Sequence, residues 1–267
     1  MKGYWVLLRR AAMFSAAACL TVAAQAQEAM PAPPAPPPLQ AASPVSADPD
    51  HPAFGDLIDA MQEAIDQDAA MAAMSASIAR EYAKVPEIAA LEAAKPGLID
   101  AVVAAMQPTL VTLGARVQQD YRPRMQALMA RHLTSAEAGD LAAFYRSPLG
   151  RKLLTGASRS LTMENTLSGV GTSIADGVDP ADLTVARSQV EKDITGAALS
   201  GVKTLSDDDL LEMGRVALRT PALLKMNTML PEIITLRTAM ENEQPNAEEI
   251  AAIEEAVVLA VTRHIGG

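Results

Sequence analysis

Arg146, Arg151 and Lys152 flank the dipeptide Ser147-Pro148, and theirs are the residue types and spacing in this chain best suited to binding chemistry. A Ser-Pro step starts helices, because the hydroxyl caps the first turn and proline presets its backbone angle. Such a first turn presents free N–H groups, so cations beside it would hold a carboxylate, a phosphate or a partner's acidic face. Glu137 and Asp140 lie close enough in sequence to neutralise part of that charge. The same residues also have a structural reading. Phe144 or Tyr145 would fill the elbow between two helices, Ser147 would cap the second, Pro148 would start it, and Gly150 would admit a neighbouring helix.

No other pattern offers catalysis. The chain has no Gly-x-Ser-x-Gly elbow, no His-Glu-x-x-His pair and no Gly-x4-Gly-Lys-Ser/Thr loop, so no catalytic residue is assigned. One cysteine and three histidines (His51, His132, His264) exclude a Cys-based zinc site and a disulfide framework. Gly169-Val170-Gly171 lacks the third glycine and the preceding strand of a dinucleotide loop. Asp207-Asp208-Asp209 lacks the alternate spacing of a calcium loop and suits a helix first turn. His132 reads as a surface residue, and His264 as a last-turn residue facing the helix dipole. No cofactor and no metal are expected.

The elements that position these residues read as helices. Aromatic residues make up 3% of the chain, and alanine, leucine and methionine abound. Apolar residues recur at three and four: Leu57, Met61 and Ile65, then Met71, Met74 and Ile78, then Leu98, Val102, Val103 and Met106. Prolines 86, 96, 108, 123, 148, 180, 221, 231 and 245 are expected to bound a series of short antiparallel segments. Thr134-Ser135-Ala136-Glu137 is a capping box. Ser147-Pro148, Asp179-Pro180 and Thr220-Pro221 pair a capping oxygen with a first-turn proline. Asn246 starts a last helix over 246–265. The fold class is all-α, an antiparallel helical bundle.

Aligning the caps reveals a partial internal duplication. Leu133-Thr134-Ser135 leads to Arg146-Ser147-Pro148 and Lys152, and Leu205-Ser206-Asp207 leads to Arg219-Thr220-Pro221 and Lys225; the openings are 72 residues apart and the Arg-Ser/Thr-Pro groups 73. The units are about 98–170 and 171–243. The first carries Leu133-Thr134-Ser135-Ala136-Glu137 followed by Phe144-Tyr145-Arg146-Ser147-Pro148-Leu149-Gly150-Arg151-Lys152-Leu153. That run resembles the signature of the bacterial domain of unknown function 2059, over roughly residues 98–160. The resemblance implies a helical chain exported by a Gram-negative bacterium, and it brings no activity. The second unit departs from the signature, with Ala217-Leu218 in place of the aromatic pair and Leu223 in place of the glycine.

The N-terminus reads as address and tether. Lys2, Arg9 and Arg10 precede the uncharged apolar run 11–24, and Ala24-Gln25-Ala26 sets a cleavage site between Ala26 and Gln27. The run is too short to cross a bilayer, so residues 1–26 are a signal peptide and the mature chain is expected to carry no transmembrane span. A lipoprotein anchored through Cys19 is the alternative. Residues 27–53 form a disordered, proline-rich linker, since nine of the eighteen prolines fall within 31–52.

Net charge is −10, and cleavage after Ala26 removes three basic residues to leave −13. With no basic block, nucleic acid is not an expected partner. The leading expectation is a periplasmic protein-interaction or envelope-assembly module without catalytic activity, whose partner is an unidentified envelope protein. A second reading uses Met71, Met74, Met106, Met125, Met129, Met213, Met226, Met229 and Met240 as an adaptable groove for apolar peptide or lipid, against the alternative that they fill the core. A third is a hydrolase whose site follows no known motif.

Overall fold

The computed structural model describes residues 47–160, 163–175 and 184–266, without the side chains of 174 and 175. The expected signal peptide with Ala26 and Gln27, Cys19, most of the linker and the Asp179-Pro180 cap lie outside the described residues.

Every regular element among the described residues is a helix, so the chain is all-α. In order they are α1 (Pro52–Glu63), α2 (Gln67–Ala83), α3 (Pro86–Ala94), α4 (Leu98–His132), α5 (Ser135–Arg146), α6 (Pro148–Ser160), α7 (Glu164–Ala175), α8 (Arg187–Lys203), α9 (Asp207–Arg219), α10 (Ala222–Glu241) and α11 (Ala247–Gly266). Local chemistry explains their starts. Thr134 and Ser206 form reciprocal capping boxes with Glu137 and Asp209. Pro52, Pro86 and Pro148 stand at first helical positions, where the missing N–H costs nothing. Helix α1 thus begins inside the stretch expected as linker, and the Ala47 N–H donates to the Ala130 carbonyl at 3.1 Å.

Three prolines do not end helices as expected. Pro108 and Pro123 lie inside α4, a 35-residue helix, and Pro231 lies inside α10. All three are exposed, as are Ala104 and Gln119, whose carbonyls lose their helical donor to Pro108 and Pro123. Water can satisfy those carbonyls, while the opposite faces of both helices are held in the core, so the helices run on.

Helix α4, about 52 Å long at 1.5 Å per residue, is the spine. Its first two thirds supply Val102, Met106, Leu110, Leu113 and Val117 to one core with α2, α7, α8, α10 and α11. Its last turns supply Met125, Leu128 and Met129 to a second core with α1, α5, α6, α8, α9 and α10. Among the described residues α4 alone is long and apolar enough to cross a membrane by length and composition. The two sequence units are not two separate bodies, because each contributes to both cores. Their matching helices also differ in length, α4 having 35 residues against 17 for α8, and α6 having 13 against 20 for α10.

Candidate functional site

The motif corner joins α5 to α6. Phe144 and Tyr145 both fill it, their rings edge-on at 5.2 Å and Tyr145 0% exposed. Ser147 Oγ accepts from the Gly150 N–H at 3.1 Å. Gly150 makes the turn possible by close approach to the end of α5: a Cβ there would lie 2.2 Å from the Phe144 carbonyl oxygen and 2.8 Å from Tyr145 Cα.

Arg146, Arg151 and Lys152 do not form one anion-binding cluster. The Arg146 guanidinium donates two hydrogen bonds to Asp56, at 2.8 and 2.9 Å, and two to Glu63, at 3.0 and 3.1 Å. Those bonds hold both carboxyls below the usual carboxylate range and tie α5 to α1. Lys152 donates to Asp209. Its hydrogen bond, with those from the Ser206 N–H and hydroxyl, brings the Asp209 carboxyl down to about 2. Arg151 is exposed and has no ion pair among the described residues. Opposite charges on helices distant in sequence thus quench the cluster that local spacing suggested.

Asp209 belongs to α9, and this helix carries the two most exposed large apolar side chains among the described residues. Its inner stripe, Leu210, Met213 and Val216, packs on the second core. On the other side Leu211 is 62% and Leu218 86% exposed, two turns apart on one face. Between and beside them Glu212 accepts from Arg215 at 3.2 Å and from Arg219 at 2.8 Å, so two guanidinium groups share one carboxylate. Motif and cap patterns assign these leucines no role beyond Leu218's place in the second repeat unit. The signal was there, as Leu211 and Leu218 sit seven apart on the polar side of a helix whose core stripe is complete without them.

A second unanticipated feature is a buried charged centre. Arg237 donates to Glu241 at 2.6 Å, the residues being 2% and 1% exposed, between core residues Ile234 and Met240. Burial pushes the Glu241 carboxyl up to about 7 against the opposing pull of Arg237, and the charge of nearby Asp193 adds to the rise. Asp193 caps α7 by accepting from the N–H groups of Asn165 at 3.1 Å and Thr166 at 2.9 Å. The Thr166 hydroxyl donates to it as well, at 2.7 Å.

His132, expected on the surface, is half-buried and within 2.7 Å of Glu232. His264 stands 3.0 Å from the Pro96 carbonyl oxygen, beside a shallow alanine-lined groove of about 490 Å³ between α4 and α11. Asp207, Asp208 and Asp209 form the first turn of α9. Among the described residues no group of three or more His, Cys, Asp or Glu is placed to hold a metal ion. The methionine groove is corrected: Met74, Met106, Met125, Met129, Met213, Met226, Met229 and Met240 are all buried, and Met71 packs against the first core. A thioether fills irregular core gaps as readily as it lines a groove, and here it fills.

Residues 119–165 match the family described as an uncharacterized protein conserved in bacteria (DUF2059). The match runs from the last third of α4 through the motif corner to the start of α7, and it bears out the resemblance carried by Phe144 to Lys152. The family description names no activity. No curated protein and no solved structure matches the chain.

Proposed function

We propose that this chain, bearer of that bacterial family's segment, is exported to the periplasm by its N-terminal signal and serves there as a protein-interaction or envelope-assembly module. The observation that carries the reading is the α9 surface. Leu218 at 86% and Leu211 at 62% are the two most exposed large apolar side chains among the described residues, and they stand on one face of the same helix, where together they offer an apolar contact surface. Export rests on the basic start, apolar run and Ala24-Gln25-Ala26 site, and the linker supplies reach. Nucleic acid is disfavoured by the net charge of −10.

The test is cross-linking in intact cells, with a photoreactive residue placed at Leu218, Arg151 or Val258 of the tethered protein. The same few envelope proteins recovered from at least one position would support the module. Recovery of bound lipid or of a broad set of unfolded chains would replace it with a carrier. A protein retained in the cytoplasm with its first 26 residues intact would remove the export reading.

A further inference from the structure

We propose that the exposed face of α9 docks an acidic amphipathic helix of a partner protein, built on the plan of this chain's own α1. The inference rests on the interaction-module reading and names its surface and its partner chemistry.

Helices α5 and α9 begin alike, each with a hydroxyl cap and an acidic residue reaching back from the third position. They also end alike, in Arg146-Ser147-Pro148 and Arg219-Thr220-Pro221. Helix α5 is covered. Along it lies α1, whose Phe54, Leu57, Ile58 and Met61 form a buried stripe at the helical spacing. The carboxylates of α1, Asp56 and Glu63, stand two turns apart and clasp Arg146, the last residue of α5. Tyr145, just before that arginine, is completely buried.

At the matching place on α9, Leu218 precedes Arg219 and is 86% exposed. Helix α9 packs mainly against α10, and among the described residues no element lies along it as α1 lies along α5. Its charge is also unbalanced. Arg215 and Arg219 divide the single carboxylate of Glu212, all three in solvent, so the C-terminal half of α9 has a surplus cation on a chain of net charge −10. Exposed pairs of this kind are weak and exchange readily for a better ligand. A helix with an apolar stripe would cover Leu211 and Leu218. Two carboxylates seven residues apart on its edge would take Arg219 as Asp56 and Glu63 take Arg146.

The probe is a labelled peptide of residues 50–65, the α1 segment itself, titrated against the full mature chain by fluorescence anisotropy. Saturable binding is expected, with a dissociation constant in the range of about 10–100 μM for one short helix. Replacing Leu211 and Leu218 by Asp should weaken it at least about tenfold, as should Arg219→Glu. A peptide carrying Asp56→Lys and Glu63→Lys should regain affinity for the Arg219→Glu protein. The proposal is overturned by no saturation at about 1 mM, by affinity indifferent to the α9 changes, or by affinity that follows Arg146→Glu instead, which would place the peptide on α5. Sedimentation supplies a further arm: a dimer that Leu218→Asp dissociates would make the occupant a second copy and overturn the partner named here. Envelope proteins cross-linked from Arg151 or Val258 but not from Leu218 would remove this docking surface and leave the interaction module standing. Capture from none of the three would remove the module itself.

Discussion

Gly150 and the Arg237–Glu241 pair show how single side chains govern this molecule. Gly150→Ala forces a Cβ into the Phe144 carbonyl, so α6 must swing away from the end of α5 and disturb the buried Tyr145. The expected cost is about 1–3 kcal/mol, read from urea denaturation. Arg237→Met or Glu241→Leu alone strands a buried charge and should cost about 3–5 kcal/mol, whereas the double substitution should cost far less than their sum. The pair also sets a pH dependence. Burial, helped by the charge of Asp193 and opposed by Arg237 and Thr166, raises the Glu241 carboxyl from 4.5 to about 7, so the folded chain holds that proton more tightly than the unfolded chain does. The stability it contributes is full below pH 4.5 and is lost as pH rises through 7. Urea midpoints should therefore fall between about pH 5 and pH 8, and the double variant should flatten that part of the curve.

Helices in this chain obey local rules at their starts and tertiary ones along their length. The capping box at Thr134 and the proline at 148 were legible as patterns, and the box at Ser206 follows the same rule, because the donors and acceptors lie within three residues of one another. The extent of α4 was not. Pro108 and Pro123 carry a stop signal that is overruled by burial of Leu110, Leu113, Val117 and Met125 on the other side of the helix. The stop still has a cost, since Pro123 deprives the exposed Gln119 carbonyl of a donor. Pro123→Ala should restore it and raise stability by about 1–3 kcal/mol, the helix-interior penalty of proline less the entropy returned to the unfolded chain. An unchanged or lower urea midpoint would show that the backbone geometry set by Pro123 is needed for packing.

At the scale of the whole molecule, one helix threads two cores, with α8 and α10 also shared between them. Neither core can come apart without freeing an element of the other. The chain should therefore lose both in a single urea transition. Leu110→Ala in the first core and Leu57→Ala in the second should each lower that same transition, by about 2–5 kcal/mol. Two resolved steps, only one of them moved by each substitution, would show that the cores are independent.

Much of this protein is present in its sequence alone: the all-α class, several helix starts, the motif corner and its match to a bacterial family, and the acidic balance. All of these depend on composition or on neighbours a few residues apart. The uses of the cations depended on the tertiary structure, because Arg146 meets Asp56 across 90 positions and Lys152 meets Asp209 across 57. The same holds for the methionines and for α9. A periodic apolar residue is equally suited to a core, a groove or an exposed face, and only the packing of the other helices decides that Met106 is enclosed while Leu218 stands in solvent.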